Sequence, residues 1–232
     1  MVFHNLTGYD SHLIIKEVAA SPTWEGRVSL IPENKEKYVS FTKHIKGSNI
    51  NFRFIDSFRF LPTSLDKLSS YLKDHPIVNK EFAKEGYEPE KIQILKRKGV
   101  LPYDFTSSLE SLKMDRLPSI DQFYSFLNEQ NISAEDYEHA QTVWDTFQIQ
   151  DLCQYSDIYL KTDVLLLADV FENFRDNYMQ AYQLDAAHFH TTPSFTWDAM
   201  LKFTGIKLEL FTNIDKLLFV EKGKKYNNIH ID

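Results

Sequence analysis

The stretch from Ile149 to about Tyr182 keeps helical apolar spacing throughout, and a helix of that length dictates where the remaining elements can pack. Val164, Leu165, Leu167, Val170 and Phe171 would bury most of it and hold Asp163 at the rim of the core. Tyr159 and Asp163 are an i, i+4 pair, so phenol and carboxylate project from one face and can act on one ligand. Bland alternatives stand beside this: Asp163 as a solvated helix residue and Tyr159 as a packing aromatic.

The rest of the chain divides by texture. "DSHLIIKEVAAS" reads as a helix with Asp10 at its cap. "RVSLIP", "KYVSFTKHI" and "INFRFIDSFRFL" predict three strands of a meander, and Phe52, Phe54, Phe58 and Phe60 alternate so that one face is core. "TSLDKLSSYLKD" opens a helix with a Thr or Ser cap. Prolines and glycines break residues 75–118 into short pieces, whereas "LPSIDQFYSFLNEQ", "SAEDYEHAQTVWDTFQ", "SFTWDAMLKFTG" and "NIDKLLFVEKG" carry helical spacing, the last two ending at Gly205 and Gly223. The picture is a strand-rich N-terminal part packed on helices.

Composition narrows the classes. In 232 residues, 43% hydrophobic content supplies a sizeable core, and no run of apolar residues is long enough for a membrane span. The N-terminus lacks the pattern of a secretory signal and the single cysteine, Cys153, has no partner, so the expectation is an intracellular protein of nucleus or cytoplasm, not secreted. A net charge of −7 argues against a uniformly basic nucleic-acid-binding surface and leaves room for a local groove. Cys153, beside Leu152 in a helical pattern, is expected to be buried and inert. "HFH" at 188–190 has no further ligand at zinc spacing, and no zinc site is expected.

"FHNLTGYDSHLI" places Asn5 and Asp10 at a strand-to-helix turn. By itself Asp10 could be only an N-cap, with Asn5 ordering the turn. The segment resembles the second exonuclease motif of family B DNA polymerases, and "YLKTD" resembles their third. "FIDSFRFLPTSLDKL", "LKRKGVLPYDF", "DLCQYSDIYLKTDVLLLADVFENFR" and "WDAMLKFTGIKLELFTNIDKLLFVEKG" extend the resemblance over nearly the whole chain, toward the protein-primed branch and its Polinton, or Maverick, and viral members.

The resemblance implies an α/β fold: a partial RNase H-like 3'-5' exonuclease domain with an extended α-helical C-terminal half. Residues 1–182 would form the exonuclease-like domain, and 183–232 a helical segment leading toward a polymerase palm. It makes Asp10 and Asp163 two of four carboxylates binding Mg²⁺ or Mn²⁺, and Tyr159 the residue that orients the nucleophilic water. Lys98 would stabilise charge on the scissile phosphate. His4 and Asn5 would contact single-stranded DNA, and Ser57 and Phe58 fall where the branch grips the primer strand with Ser-Leu. Implied partners are DNA, through a single-stranded 3' end or primer strand, and a terminal protein primer.

The pattern departs from the family at both ends: Asp-x-Glu should precede Asn5, palm motifs should follow the last block, and Glu17 and Asp56 do not form the missing pair. The expectation is a fragment with little or no exonuclease activity and no polymerase activity alone, with an exposed sheet edge and marginal stability. Two alternatives remain at this stage, a domesticated noncatalytic single-stranded DNA-binding module and a protein-interaction module.

Overall fold

β-Branched and aromatic residues between 27 and 60 build three strands, which in the computed structural model join a short N-terminal strand in one four-stranded sheet. The structure describes residues 1–7, 10–21, 23, 25–33, 37–209 and 211–226, with the side chains of Asp10 and of 224–226 outside that description. The meander is β2 (Val28–Pro32), β3 (Tyr38–His44) and β4 (Asn51–Asp56), antiparallel throughout. A short β1 (Val2–Phe3) runs parallel to β4, giving the order β1-β4-β3-β2.

Phe41 and Phe54 are register partners whose rings stack at 4.2 Å between centroids, both almost fully buried. Helix α1 (Asp10–Ala20) covers this face with Ile14, Ile15 and Val18. Gly26 is required next to it: at φ 147° its backbone lies so close to β3 that an added Cβ would sit 1.9 Å from the His44 carbonyl oxygen. The buried Lys43 sends its ammonium to the Gly26 carbonyl at 3.1 Å, which satisfies a charge inside the layer.

The strand pattern through Phe58 and Phe60 stops early. β4 ends at Asp56 because that carboxylate accepts the Phe58 amide at 3.0 Å and turns Ser57–Arg59 into one 3-10 turn. Phe60, past the turn, instead packs against Phe174 at 5.8 Å.

The helical layer is α2 (Leu65–Ser70), α3 (Pro76–Lys84), α4 (Pro89–Ile94), α5 (Ala134–Thr146), α6 (Leu152–Tyr182), α7 (Thr192–Thr204) and α8 (Ile214–Tyr226). Side-chain caps set three of their starts: Ser64, Ser133 and Asp151 accept the amides of Lys67, Asp136 and Gln154. Helix α6 is the long helix expected. Its buried residues are Leu152, Tyr155, Tyr159, Thr162, Leu166, Asp169, Val170 and Phe171. Of the apolar residues expected among them, Val170 and Phe171 are buried and Leu165 and Leu167 partly so, whereas Val164 is 58% exposed. Val78, Phe82, Ile92, Leu95 and Val143 pack against the buried face to form the core.

Three sequence expectations are corrected here. Residues 117–130 form no α-helix but a 3-10 turn, Ile120–Phe123, closed by a Ser119–Gln122 capping box, and a Ser125–Gln130 bridge. Phe126 and Leu127 are exposed, so burial gives helix propagation no support there. Cys153 is exposed, because α6 turns Leu152 inward and its neighbour outward. Helix α8 continues through Gly223 to Tyr226.

The chain separates into two compact units, Met1–Phe195 and Thr196–Asp232. The first extends past the expected boundary at 182 because the segment after α6 folds back, with Phe195 packing edge-on against Tyr178 at 4.8 Å and Asp185 pairing with Arg175. The second contains the end of α7 and α8, with large apolar residues such as Phe203 and Phe219 mostly exposed. No helix among the described residues is long and apolar enough to cross a membrane.

Candidate active site

The expected site residues fall into two groups, each held by different elements. The first lies on α6 and on the loop 96–100 that follows α4. Leu95 anchors that loop in the core, and the Tyr155 hydroxyl donates to the Val100 carbonyl at 2.7 Å. Gly99 lies against the Tyr159 ring. The loop thus delivers Lys98 to the rim of α6, where its ammonium donates to the Tyr159 hydroxyl at 3.1 Å and to the Asp163 carboxylate, with which it forms an ion pair. Arg97, next to it, is drawn away by ion pairs with Glu135 and Asp136.

Tyr159 is 8% exposed, and its hydroxyl also meets that of Tyr103 at 2.8 Å. Burial first, then the Tyr103 hydrogen bond and the neighbouring Asp163 charge, push its phenol well above the ordinary tyrosine value. It stays protonated at any physiological pH, so it can orient an oxygen by hydrogen bonding and cannot act as a base. Asp163 Oδ2 accepts from Lys98, while its Oδ1 is buried without a hydrogen-bond partner among the described residues. An unpaired buried carboxylate oxygen has the chemistry of a hard-cation ligand. Among the described residues, no three metal-ligating side chains come together. Asp10 begins α1, but its side chain lies outside the described residues.

The second group sits where the parallel pair β1 and β4 ends. His4 bonds through Nδ1 to Ser57 Oγ at 2.9 Å and through Nε2 to the Thr63 carbonyl at 2.8 Å; its ring meets the Phe58 ring edge-on at 5.4 Å. Asn5 adopts the left-handed conformation, φ 67°, with its side chain exposed. Ser57 is completely buried and donates to the Phe3 carbonyl, so its hydroxyl holds His4 in place rather than facing solvent. His4, Asn5 and Phe58 present the accessible surface.

Two residues with no supporting role assigned from the sequence hold these groups in place. Asp56 is buried and accepts four hydrogen bonds, from the amides of Asn5, Thr7 and Phe58 and from the Thr7 hydroxyl, at 2.8 to 3.0 Å. It ties the turn carrying Asn5 to the end of β4. Tyr103, five residues after Lys98, reaches Tyr159 only through tertiary packing, and no local pattern announces the pairing.

A lysine from the loop 96–100 thus meets a buried tyrosine and a carboxylate on one face of α6, and the sequence as a whole specifies the class. The family model described as DNA polymerase type B, organellar and viral, matches residues 1–231. The chain belongs to that family, whose work is DNA replication, with DNA as the partner it implies. No curated protein and no solved structure matches the chain.

Proposed function

We propose that this chain is the exonuclease-side part of a protein-primed type B DNA polymerase, built on an RNase H-like sheet, that receives the 3' end of a single strand. The observation that carries the reading is the Lys98 ammonium bonded at once to the Tyr159 hydroxyl and the Asp163 carboxylate. A terminal protein is the primer such a polymerase would use, and Mg²⁺ or Mn²⁺ the cation Asp163, with Asp10, would help hold. When bound, that cation would polarise the phosphodiester and its attacking water.

The roles of the chain's own residues follow from their surroundings. Tyr159, kept protonated, orients an oxygen at the reacting phosphate through its hydroxyl. Lys98 is close enough to Asp163 to exchange that carboxylate for a phosphate oxygen and offset charge there. Asn5 and Phe58 hold the strand, Asn5 by hydrogen bonds and Phe58 by stacking, while His4, both ring nitrogens of which are bonded to Ser57 and Thr63, offers it a ring surface beside Phe58. With one unpaired carboxylate oxygen and no third ligand among the described residues, the chain alone holds a strand without hydrolysing it.

The test is fluorescence anisotropy of a labelled single strand across a salt series with Mn²⁺, run alongside an end-labelled degradation assay. Binding that weakens in Lys98→Ala and Phe58→Ala, with a flatter salt dependence in the lysine variant and no degradation, is the expected result. Absence of binding at low salt would sink the reading. Degradation abolished by Asp163→Asn would keep the site and overturn the inactivity of the isolated chain.

A further inference from the structure

The sheet has a second face, turned away from α1, and it is chemically unlike the rest of this acidic molecule. Alternation along the strands puts Thr42 and His44 of β3 and Asn51 and Arg53 of β4 on that face, next to Ser29 of β2 and the preceding Arg27. Together with the segment 187–190 they line an open groove of about 700 Å³. Among the described residues lining it there are two arginines and three histidines and no aspartate or glutamate. The carboxylates nearest in sequence are tied elsewhere: Glu25 to Lys46, Glu33 to Arg59 and Asp185 to Arg175.

The groove also has more donors than acceptors. His44 Nδ1 lies 2.7 Å from Asn51 Oδ1, an acceptor, which leaves the Asn51 amide nitrogen facing the groove without a partner among the described residues. Arg53 uses one terminal nitrogen on the Ala187 and His188 carbonyls, at 3.4 Å each, and keeps its other donors. Arg27 is exposed and makes no side-chain hydrogen bond among the described residues. His190 Nδ1 is buried with no partner among the described residues. Burial, with Arg53 nearby, lowers the affinity of that imidazole for a proton, so at neutral pH it stands uncharged and able to offer one N–H.

We propose that this groove is a second nucleic-acid contact, which holds the phosphate backbone of single-stranded DNA through Arg27, Arg53, Asn51 and His190, separate from the Lys98 cluster. Unpaired guanidinium and amide donors in a groove without carboxylates match phosphodiester oxygens, which accept only. Such a contact positions a strand without reading its sequence.

The experiment uses the whole chain and a fluorescein-labelled oligothymidylate of about 20 nucleotides, long enough to span more than one contact. Anisotropy is followed over a salt series for the wild type, Arg27→Gln, Arg53→Gln, Lys98→Ala and the Arg27→Gln/Lys98→Ala pair. Arg27→Gln is expected to weaken binding several-fold and reduce the salt slope by about 0.7, one phosphate contact on a single strand. The pair should lose both increments, because two separate stretches of the strand are involved. Arg27 is exposed, so its variant folds; Arg53→Gln, which also cuts a tie to 187–188, should lose at least as much. Unchanged affinity and slope in both arginine variants, or no binding by the wild type at low salt, overturns the groove. An effect at Lys98 without one at Arg27 overturns it while leaving the active-site reading standing.

Discussion

At the scale of single residues, the most instructive side chain is one the sequence argument set aside. Asp56 was weighed only as a replacement for a missing catalytic carboxylate, and it instead collects four donors at the end of β4. Replacing it by alanine leaves those donors buried and unpaired, and urea unfolding should register a loss of about 3 kcal/mol or more. Tyr159→Phe is milder. It deprives Lys98 and Tyr103 of a shared partner, so a loss of about 1 kcal/mol is expected, with weaker strand binding as the readout that separates function from stability. That Tyr159 and Asp163 share one helical face was legible in their i, i+4 spacing, whereas Lys98, 61 residues from Tyr159, came only from the family resemblance. Tyr103 and Asp56 were not legible, since their partners lie 56 and about 50 residues away.

Among elements, the start of α2 was readable in its serine, since capping is local chemistry, and Ser133 and Asp151 cap α5 and α6 in the same way. The polar part of the buried face of α6 was not readable, since it includes Thr162 and Asp169, and the burial of Asp169 depends on what α3 presents. Asp169 there accepts the amides of Ile77 at 2.8 Å and Val78 at 3.0 Å, satisfying the first turn of a helix that begins with proline and has no cap of its own. Asp169→Ala should therefore destabilise the packing of α3 on α6 by about 2 kcal/mol in chemical denaturation. The same junction sets a pH dependence. His75, just before α3, bonds to Ser69 at 3.0 Å, and burial lowers its proton affinity against the opposing pull of Asp169 and Asp74, with Lys96 adding to the burial effect. A histidine whose folded value lies below its unfolded 6.5 contributes stability present above that value and lost as pH falls through the folded one. Unfolding midpoints should decline below about pH 6.5, and His75→Gln should flatten that part of the profile.

For the molecule as a whole, the division at Phe195 and Thr196 predicts that limited proteolysis cuts first at 205–209, an exposed stretch without regular structure, and leaves Met1–Phe195 intact on a gel. The boundary was hidden in the sequence because the return of Phe195 onto Tyr178 is an aromatic contact with no local pattern. Charge, too, has an arrangement that composition conceals. Several cations near the two candidate sites are closed into pairs, Lys98 with Asp163, Arg97 with Glu135 and Asp136, Arg59 with Glu33. The Lys98 pair has a thermodynamic consequence. Because Asp163 is already the counter-ion of Lys98, a phosphate bound at Lys98 would replace one anionic partner by another, and the strand would gain there only the difference between two ion pairs.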